Sequence, residues 1–453
     1  MRSTDGADDS RPRGRREAAG PNRSVAAGLA LAERAGLDRS LTRHWGDADP
    51  VAVSAAVQSR HPGFAELLGR AEALVPRLRE RAQAAEADRR IPAESIRELV
   101  DAQLFDIQKP ARFGGFELGL VEFVELVATL GRGCGSTAWV HGVTAERAWL
   151  LAKFGADAQA DVWGTQPGAL ITSSITPDGR GVPVPGGYRV TGTWRFVSGI
   201  DIAHWCVFCT MTPAAPGDGD AAASVARYVL VPVADCEIVD TWHVAGLAAT
   251  GSRDVRLADV FVPAHRTVLM MDLKEGGGPG LDVNAAPLFR LPLIAVNPYA
   301  ILAPALGIAE GALEQTLAGA KSRRLVATGH SAAEQQSVQL RIAEAAAEID
   351  AARALIFGDC RDVMATVECG DPVAIEQRLR IRRNQAFATR LLTSAVDRLF
   401  AVAGGRGIYL DHYMQRAFRD IHAAGSHLGL SWDLAGTMWG QHALGLKVTT
   451  PAY

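Results

Sequence analysis

The period of the hydrophobic residues changes twice along the chain, and this change limits the fold more than any other feature. From about residue 64 to 166, apolar residues recur at every third or fourth position, which is typical of amphipathic helices. Between about 168 and 270 the period is two, and from about 285 onward it returns to the helical value. The order of helices, strands and helices predicts an α+β protein.

These changes predict three folded parts and an extension. Residues 61–166 are expected to form an N-terminal helical domain, 167–275 a β-domain, and 276–453 a bundle of long helices. Residues 1–60 begin with a polar stretch rich in Arg, Gly, Asp and Ser, so we expect this extension to be disordered or loosely attached. Six short strand candidates without intervening helices predict that the β-domain is an antiparallel sheet or a barrel.

Composition and charge exclude several classes of protein. The 453 residues carry a formal net charge of -3, so bulk electrostatics favour neither nucleic acid nor an anionic membrane. The N-terminus lacks the apolar core of a secretory signal, and we expect a cytoplasmic protein. Cys206 and Cys209 form a CxxC in an apolar strand-like segment, where two reduced core cysteines are favoured over a zinc or redox site.

The usual nucleotide, protease and hydrolase motifs are absent, which directs attention to the segment GYRVTGTWRFVSG, residues 187–199. If this strand alternates regularly, Trp194, Phe196 and Ser198 share one face. Large aromatic residues that lead to a hydroxyl would suit a planar ring system with polar edges. The alternative is a sheet whose aromatic side chains fill a core.

Three histidines cluster near the C-terminus. His422 and His427 are five residues apart, whereas side chains that share one face of a helix are three or four residues apart. This pair is therefore poorly placed to bind one metal ion, and His442 is more distant. We therefore predict no metal. A single neutral histidine that acts as an acid or base is the functional interpretation, and a structural histidine is the alternative.

Four ordered segments carry a family resemblance. They are RFGG at 112–115, the strand at 187–205, GLAATGSRDVRLADVFVP at 246–263, and GGRGIYLDHYMQRAFRDIHAAGSH at 404–427. In this order they resemble the acyl-CoA dehydrogenase superfamily. The resemblance implies an N-terminal helical domain, a central antiparallel β-domain, a C-terminal four-helix bundle, a homotetramer, and a flavin between the β-domain and the bundle.

The branch of the superfamily is indicated by the segment after Arg419 and Asp420. Dehydrogenases typically carry a catalytic glutamate shortly after this pair, whereas here IHAAGSHLGL follows and no carboxylate appears before Asp433. Ser426 and His427 resemble the SH of two-component monooxygenases such as p-hydroxyphenylacetate hydroxylases and hydroxylases of aromatic polyketide pathways. An N-oxygenase of an amino substrate, an acyl-CoA dehydrogenase-type desaturase and a non-enzymatic scaffold are the alternatives.

For a monooxygenase, the resemblance implies a separate NAD(P)H-flavin reductase that supplies reduced FMN, with FADH2 as the alternative. The reduced flavin reacts with O2 to give a C4a-hydroperoxide that hydroxylates a small aromatic substrate, phenolic or polyketide-like. The hydroperoxide has to be kept dry and hydrogen-bonded in order to transfer oxygen.

The resemblance also assigns site residues. It makes Ser198, His427 and His141 catalytic, with Arg147 as the alternative to His141 for contact with substrate. Ser198 would contact the flavin N5 region, and His427 would polarise a substrate hydroxyl or manage a proton. The remaining residues are expected to bind the flavin: Trp139, Ser173 (or Ser174 by a shift of one residue), Trp194, Phe196, Arg290, Gly404, Gly405, Arg406 and Gly407.

Overall fold

The structure is a computed structural model that describes residues 63–214, 224–324 and 329–448. The predicted extension at 1–60 lies outside the described residues. The chain runs through a helical part, a sheet and a second helical part, so the predicted order of classes is confirmed. The first helices are α1 (Phe64–Asp88), α2 (Ala93–Asp101), α3 (Leu120–Gly131), α4 (Gly135–Leu151) and α5 (Ala156–Gln159).

The apolar stripe that predicted α3 is buried in the structure. Leu120, Phe123, Val124, Val127 and Leu130 are all fully buried. Helix α4 is different because nearly every one of its residues is buried, on all sides of the helix. A helix that is surrounded in this way lies in the interior of the protein. The side chains of α4 therefore reach both the N-terminal helices and the elements that follow.

Seven strands form one sheet in the order β5-β6-β2-β1-β3-β4-β7. The strands are β1 (Ile171–Val184), β2 (Gly187–Val197), β3 (Trp205–Pro213), β4 (Ser224–Pro232), β5 (Glu237–Val239), β6 (Arg253–Pro263) and β7 (Thr267–Leu269). The prediction of a purely antiparallel sheet is wrong for one pair, since β1 and β3 are parallel. The chain turns back at the end of β2 and places β3 on the free side of β1, where it runs in the direction of β1.

The C-terminal part begins with two short helices, α6 (Met270–Lys274) and α7 (Leu293–Val296). The long helices of the bundle follow, and they are α8 (Tyr299–Ser322), α9 (Gln336–Glu368), α10 (Ile375–Ala403), α11 (Tyr413–Gly425) and α12 (Trp432–Ala443). Helix α8 crosses α3 at very short range, because a Cβ on Gly307 would lie 2.1 Å from the carbonyl oxygen of Ala128. The bundle is thereby fixed to the N-terminal helices.

One stretch of the described chain, Leu293–Ser322, is long and apolar enough by composition to cross a membrane. In the structure 83% of its apolar window is buried among other parts of the protein. Burial of this extent is typical of the core helix of a folded domain.

Candidate active site

Trp139 on α4 and Ser198 after β2 form the centre of the candidate site. The indole Nε1 of Trp139 donates a hydrogen bond to Ser198 Oγ at 3.2 Å. Ser198 Oγ also lies 2.7 Å from Ser252 Oγ, which lies 2.7 Å from Thr250 Oγ1. Three segments that are distant in sequence thus meet at one half-buried hydroxyl.

The direction of the hydrogen bonds in this hydroxyl chain follows from its last member. Thr250 Oγ1 donates to the carbonyl oxygen of Leu247 at 2.8 Å, so it has to accept from Ser252. Ser252 in turn accepts from Ser198, because each hydroxyl has only one proton to donate. Ser198 Oγ therefore donates to Ser252 and accepts from Trp139, and one acceptor position stays free.

A β-bulge at Phe196 breaks the alternation that the sequence predicted for β2. Trp194 pairs with Val255 and Val197 pairs with Arg253 on the neighbouring strand β6. Between these two pairs β2 therefore advances by three residues and β6 by only two, so β2 contains one extra residue. Phe196 has a φ of 58°, in the left-handed region that a bulky residue rarely adopts. Its side chain is 66% exposed and contacts the ring of Trp242 edge-on, at 6.0 Å between centroids.

The prediction that Trp194 and Phe196 form one wall is therefore wrong. Trp194 is fully buried inside the sheet, stacks on Phe208 at 4.5 Å and donates from Nε1 to the carbonyl oxygen of Cys209 at 2.7 Å. The extra residue in the bulge turns Phe196 outward and leaves Trp194 in the core. Of the two aromatic residues, Phe196 is the one at the surface beside Ser198.

His427 follows α11 and also contacts the ring of Trp139. The two rings meet edge to face with 5.8 Å between their centroids. The Nδ1 atom of His427 accepts a hydrogen bond from the backbone N–H of Gly429 at 3.0 Å, which caps the short turn Leu428–Leu430. Since Nδ1 uses its lone pair in this bond, a neutral ring carries its proton on Nε2.

The electrostatic surroundings keep His427 neutral. Burial lowers the pKa of His427 to about 4, and the positive charges of Arg382 and Arg147 contribute to the shift. At neutral pH the ring is therefore uncharged, and Nε2–H is a hydrogen-bond donor. A role in which His427 donates from Nε2 fits this arrangement, whereas proton abstraction at Nε2 does not.

Arg147 is brought to the site by α4. Its Nε donates to Ser173 Oγ, its Nη2 donates to Asn297 Oδ1 at 2.9 Å, and its Nη1 is paired with the Glu146 carboxylate. Ser174 points away from this group, since its hydroxyl donates to the carbonyl oxygen of Arg195 at 3.2 Å. Of the two serines left open by the sequence, Ser173 is the one beside Arg147.

His141 lies elsewhere, contrary to its predicted place among the catalytic residues. Two residues after Trp139 it faces the opposite side of α4, because successive residues turn by about 100°. It is fully buried, packs on Phe105 at 4.9 Å between ring centroids, and its Nε2 bonds the carbonyl oxygen of Leu104 at 3.0 Å. Burial lowers the pKa of His141 to about 4. Arg147 takes the place beside Ser173.

Arg290 and the turn Gly404–Gly407 are not brought to Trp139 within this chain. Arg290 is exposed and its guanidinium lies near Gly370. The turn follows the end of α10, 22 residues beyond Arg382, which corresponds to about 33 Å along a helix. Within it, Arg406 is paired with Asp411 at 2.7 Å.

Cys206 and Cys209 are free thiols in the sheet, as the sequence predicted. Both are fully buried, and burial raises the pKa of Cys209 to about 12. In the described ranges, no group of three or more His, Cys, Asp or Glu side chains is placed to hold a metal ion.

Four residues of the site were missed by sequence reasoning: Thr250, Ser252, Asn297 and Arg382. Ser252 and Thr250 lie within a segment that carried the family resemblance, but no pattern indicated hydroxyls that meet Ser198. Arg382 lies in the middle of an arginine-rich helix, and residue type alone does not distinguish it from the solvent-exposed arginines of the same helix. A buried arginine in a long amphipathic helix can be recognised only by its position relative to the apolar stripe.

With this geometry established, comparison with known proteins identifies the family. Residues 71–166 match the acyl-CoA dehydrogenase N-terminal domain, and residues 299–432 match the acyl-CoA dehydrogenase C-terminal domain. The chain belongs to the acyl-CoA dehydrogenase family.

Individual relatives point to one branch of the family. The chain is 38% identical over 391 residues to the oxygenase component of an FADH(2)-dependent resorcinol hydroxylase from Rhizobium sp., covering 84% of this chain and 94% of the relative. It is 37% identical over 381 residues to the flavin-dependent monooxygenase oxygenase subunit HsaA of Rhodococcus jostii, covering 84% and 98%.

Solved structures agree with this placement. The crystal structure of 3-HSA hydroxylase from Rhodococcus sp. RHA1 superposes with a TM-score of 0.81 at 36% identity, over 86% of this chain and 99% of the other. The structure of XiaF from Streptomyces sp. in complex with FADH2 and glycerol gives a TM-score of 0.78 at 27% identity, over 86% and 98%.

Proposed function

We propose that this chain is the oxygenase component of a two-component flavin-dependent monooxygenase that hydroxylates a small phenolic substrate. The observation that carries the proposal is the contact of both Ser198 and His427 with Trp139. The relatives named as oxygenase components of aromatic hydroxylases support it. A reduced flavin, when bound, supplies the two electrons that convert one atom of O2 to water while the other atom enters the substrate.

The polarity of Ser198 fits a reduced flavin. Ser198 Oγ keeps one acceptor position free, as derived from its bonds to Trp139 and Ser252. In reduced flavin N5 carries a hydrogen and is a donor, whereas in oxidised flavin N5 is an acceptor. The free acceptor of Ser198 is therefore complementary to the reduced form, and the exposed ring of Phe196 offers an apolar surface beside it.

We infer that FADH2 is preferred over FMN. The resorcinol hydroxylase relative is described as FADH(2)-dependent, and XiaF was solved with FADH2. Both share more than a quarter of their residues with this chain. The separate reductase that must supply the flavin would use NAD(P)H, and we place both proteins in the cytoplasm.

We also propose a homotetramer in which Gly404–Gly407 binds the flavin of a neighbouring subunit. Three large apolar residues directly after this turn are exposed in the single chain: Ile408 by 67%, Tyr409 by 57% and Leu410 by 73%. Contiguous exposed apolar residues mark contact surfaces in soluble proteins. The backbone N–H groups of adjacent glycines suit a phosphate or ribose. Arg290, which is exposed, would likewise act across an interface.

The experiment is aerobic turnover of resorcinol with photoreduced FAD or FMN. Hydroxylated product, hydrogen peroxide and oxygen consumption are measured together. The proposal predicts product with an oxygen atom from 18O2, and a higher product-to-peroxide ratio with FADH2 than with reduced FMN. A Ser198→Ala variant should shift the ratio towards peroxide. If a panel of phenols yields only peroxide with both flavins, the chain is not an oxygenase of phenols.

A further inference from the structure

Helix α11 holds the segment 245–247 at three successive residues. Arg419 donates from Nη1 to the carbonyl oxygen of Ala245. A Cβ on Gly246 would lie 2.1 Å from the carbonyl oxygen of Arg419, so the segment passes directly against the backbone of the helix. Asp420 Oδ1 then accepts from the N–H of Leu247 at 2.6 Å. Two adjacent charged side chains of α11 thus fix a segment that lies more than 170 residues earlier in the chain.

Leu247 has a backbone conformation that its surroundings have to hold in place. Its φ is 53° and its ψ is 33°, in the left-handed region, and the residue is buried. A residue with a side chain adopts this region only where its neighbours fix it. Asp420 fixes the N–H of Leu247, while its carbonyl oxygen accepts from Thr250 Oγ1 at 2.8 Å, from the Thr250 N–H at 3.1 Å and from Trp242 Nε1 at 3.3 Å.

The carbonyl of Leu247 gives the hydroxyl chain its direction. If Leu247 left the left-handed region, its carbonyl would turn away from Thr250, and the Thr250 hydroxyl could then donate to Ser252. Ser252 would in turn donate to Ser198, because the contacts between these hydroxyls allow either direction. Ser198 would accept from both Ser252 and Trp139, and its own proton would be free. Its polarity towards a ligand would change from acceptor to donor.

Asp420 is surrounded by charges of both signs. It is 4% exposed, and burial raises its pKa to about 6. The negative charge of Glu86 on α1 acts in the same direction, whereas Arg416 and Arg419 on α11 oppose it. The thiol of Cys134 stays protonated and neutral at pH 7, since burial raises its pKa. The small cavity that Asp420 lines is also lined by Arg79, Arg132, Gln315 and Tyr413. Asp420 is therefore ionised at pH 7.5 and takes up a proton as the pH falls through about 6.

We propose that Asp420 is a positioning residue, which holds Leu247 so that the hydroxyl chain leaves Ser198 with a free acceptor. The contacts that carry this inference are the bond from Leu247 to Asp420 and the bond from Thr250 to Leu247. The inference rests on the proposed function only where it takes the free acceptor of Ser198 as the partner of a reduced flavin. Arg419 assists by holding Ala245, two residues before Leu247.

The first test follows the Leu247 amide by hydrogen exchange in the full-length protein at pH 7.5, without flavin. Asp420→Ala removes the acceptor, Asp420→Asn keeps an acceptor oxygen without the charge, and the exposed Asp433→Asn on α12 is the control. A hydrogen bond to a charged group is worth enough that its loss in the alanine variant should speed exchange roughly tenfold or more. The asparagine variant should lie between, and the control should match wild type. Equal exchange in wild type and Asp420→Ala overturns the proposal.

The second test measures the polarity of Ser198 through the affinities for reduced and oxidised FAD, determined anaerobically at pH 7.5. Wild type should prefer the reduced form. Asp420→Ala should lower that preference by about 2- to 12-fold, which corresponds to one hydrogen bond between neutral partners, and Asp420→Asn should restore most of it. A general loosening of the fold would weaken both affinities equally. An unchanged ratio in a folded Asp420→Ala protein therefore overturns the proposal.

A pH series decides the matter without the alanine variant. The Leu247 exchange rate of Asp420→Asn is divided by that of wild type at each pH, which removes the intrinsic pH dependence of exchange. The ratio should exceed one above pH 6 and approach one below it, because protonation makes the Asp420 acceptor neutral and weakens the bond. Glu86→Gln removes a negative charge near Asp420, so the midpoint should move to lower pH. A constant ratio from pH 5 to 8, or a midpoint that does not fall in Glu86→Gln, overturns the assignment to Asp420.

These outcomes are separable from that of the proposed function. Hydrogen exchange needs no flavin, and the affinities need neither oxygen nor turnover. If phenols yield only peroxide while Leu247 exchange and the flavin preference respond to Asp420 as expected, the hydroxylase is refuted and the positioning role stands. Hydroxylated product together with an unchanged flavin preference in Asp420→Ala would refute the positioning role alone.

Discussion

The two ring nitrogens of His427 have different roles, and one pair of substitutions separates these roles. Its Nδ1 accepts from the Gly429 N–H and fixes the turn Leu428–Leu430, while its Nε2–H is free to donate. Asparagine is among the best residues at the start of a helical turn, so His427→Asn can keep the cap through its side-chain oxygen. It has no atom at the position of Nε2. His427→Ala loses both the cap at Nδ1 and the donor at Nε2.

The size of the effect follows from the bond that is lost. A hydrogen bond between neutral partners contributes about 0.5–1.5 kcal/mol net. At about 1.4 kcal/mol for each factor of ten, loss of the Nε2 donor should lower the ratio of hydroxylated product to peroxide by roughly 2- to 12-fold. In His427→Ala the missing cap should cost about a further 1 kcal/mol of stability.

The assay measures product and peroxide per reduced flavin oxidised, together with the melting temperature of each variant. We expect both variants to lose coupling to a similar degree, and only the alanine variant to melt earlier. Because the pKa of His427 is lowered to about 4, its neutral form dominates above about pH 5, and this group should cause no change in coupling from there to pH 8. Wild-type coupling in His427→Asn, or a coupling transition near pH 6.5 that this variant abolishes, would refute the donor role.

Two further substitutions test neighbouring parts of the structure. Trp139→Phe keeps an aromatic ring but removes the N–H that donates to Ser198 at 3.2 Å, so peroxide release should rise by a factor of about 2 to 10, with little change in melting temperature. His141→Gln can keep the donor to Leu104 and cannot titrate. The wild-type protein loses stability as pH falls from 6.5 towards 4, by at most roughly 3 kcal/mol from this histidine, because only the unfolded state takes up the proton. The variant should therefore lose less stability than wild type over that window in paired thermal melts, and identical losses would contradict the assignment.

The hydrophobic period was sufficient to predict the class and order of the helices and strands because it shows which face of each element is buried. It failed at Phe196 for a physical reason. A bulge shifts every later side chain to the other face of the strand, and it is fixed by a backbone dihedral and by pairing with β6, neither of which leaves a pattern in the sequence. A glycine at this position would have indicated the turn, but the residue with a φ of 58° is a phenylalanine.

The candidate site could be predicted only where one segment carried the signal. Ser198 and His427 lie in segments that resemble the family, and the structure brings both to Trp139. Arg147 and Arg382 come from two helices more than 200 residues apart, and their common position beside His427 depends on how α4 packs against the bundle. Sequence spacing could not choose between Arg147 and His141, because that choice depends on which face of α4 meets Ser173.

The chemical polarity of the site is set by backbone atoms, and this explains why residue types alone left the roles of Ser198 and His427 open. The carbonyl oxygen of Leu247 directs the hydroxyl chain so that Ser198 keeps a free acceptor, and the N–H of Gly429 occupies Nδ1 so that His427 keeps a free donor. Without such a backbone partner, a serine hydroxyl or a given ring nitrogen of a neutral histidine can be either a hydrogen-bond donor or an acceptor. Under the proposed function, Ser198 would accept from the N5–H of a reduced flavin, and His427 would donate to an oxygen of the substrate or of the peroxide. Exchange of these polarities would favour an oxidised flavin and a basic histidine, which is the arrangement that proton abstraction requires.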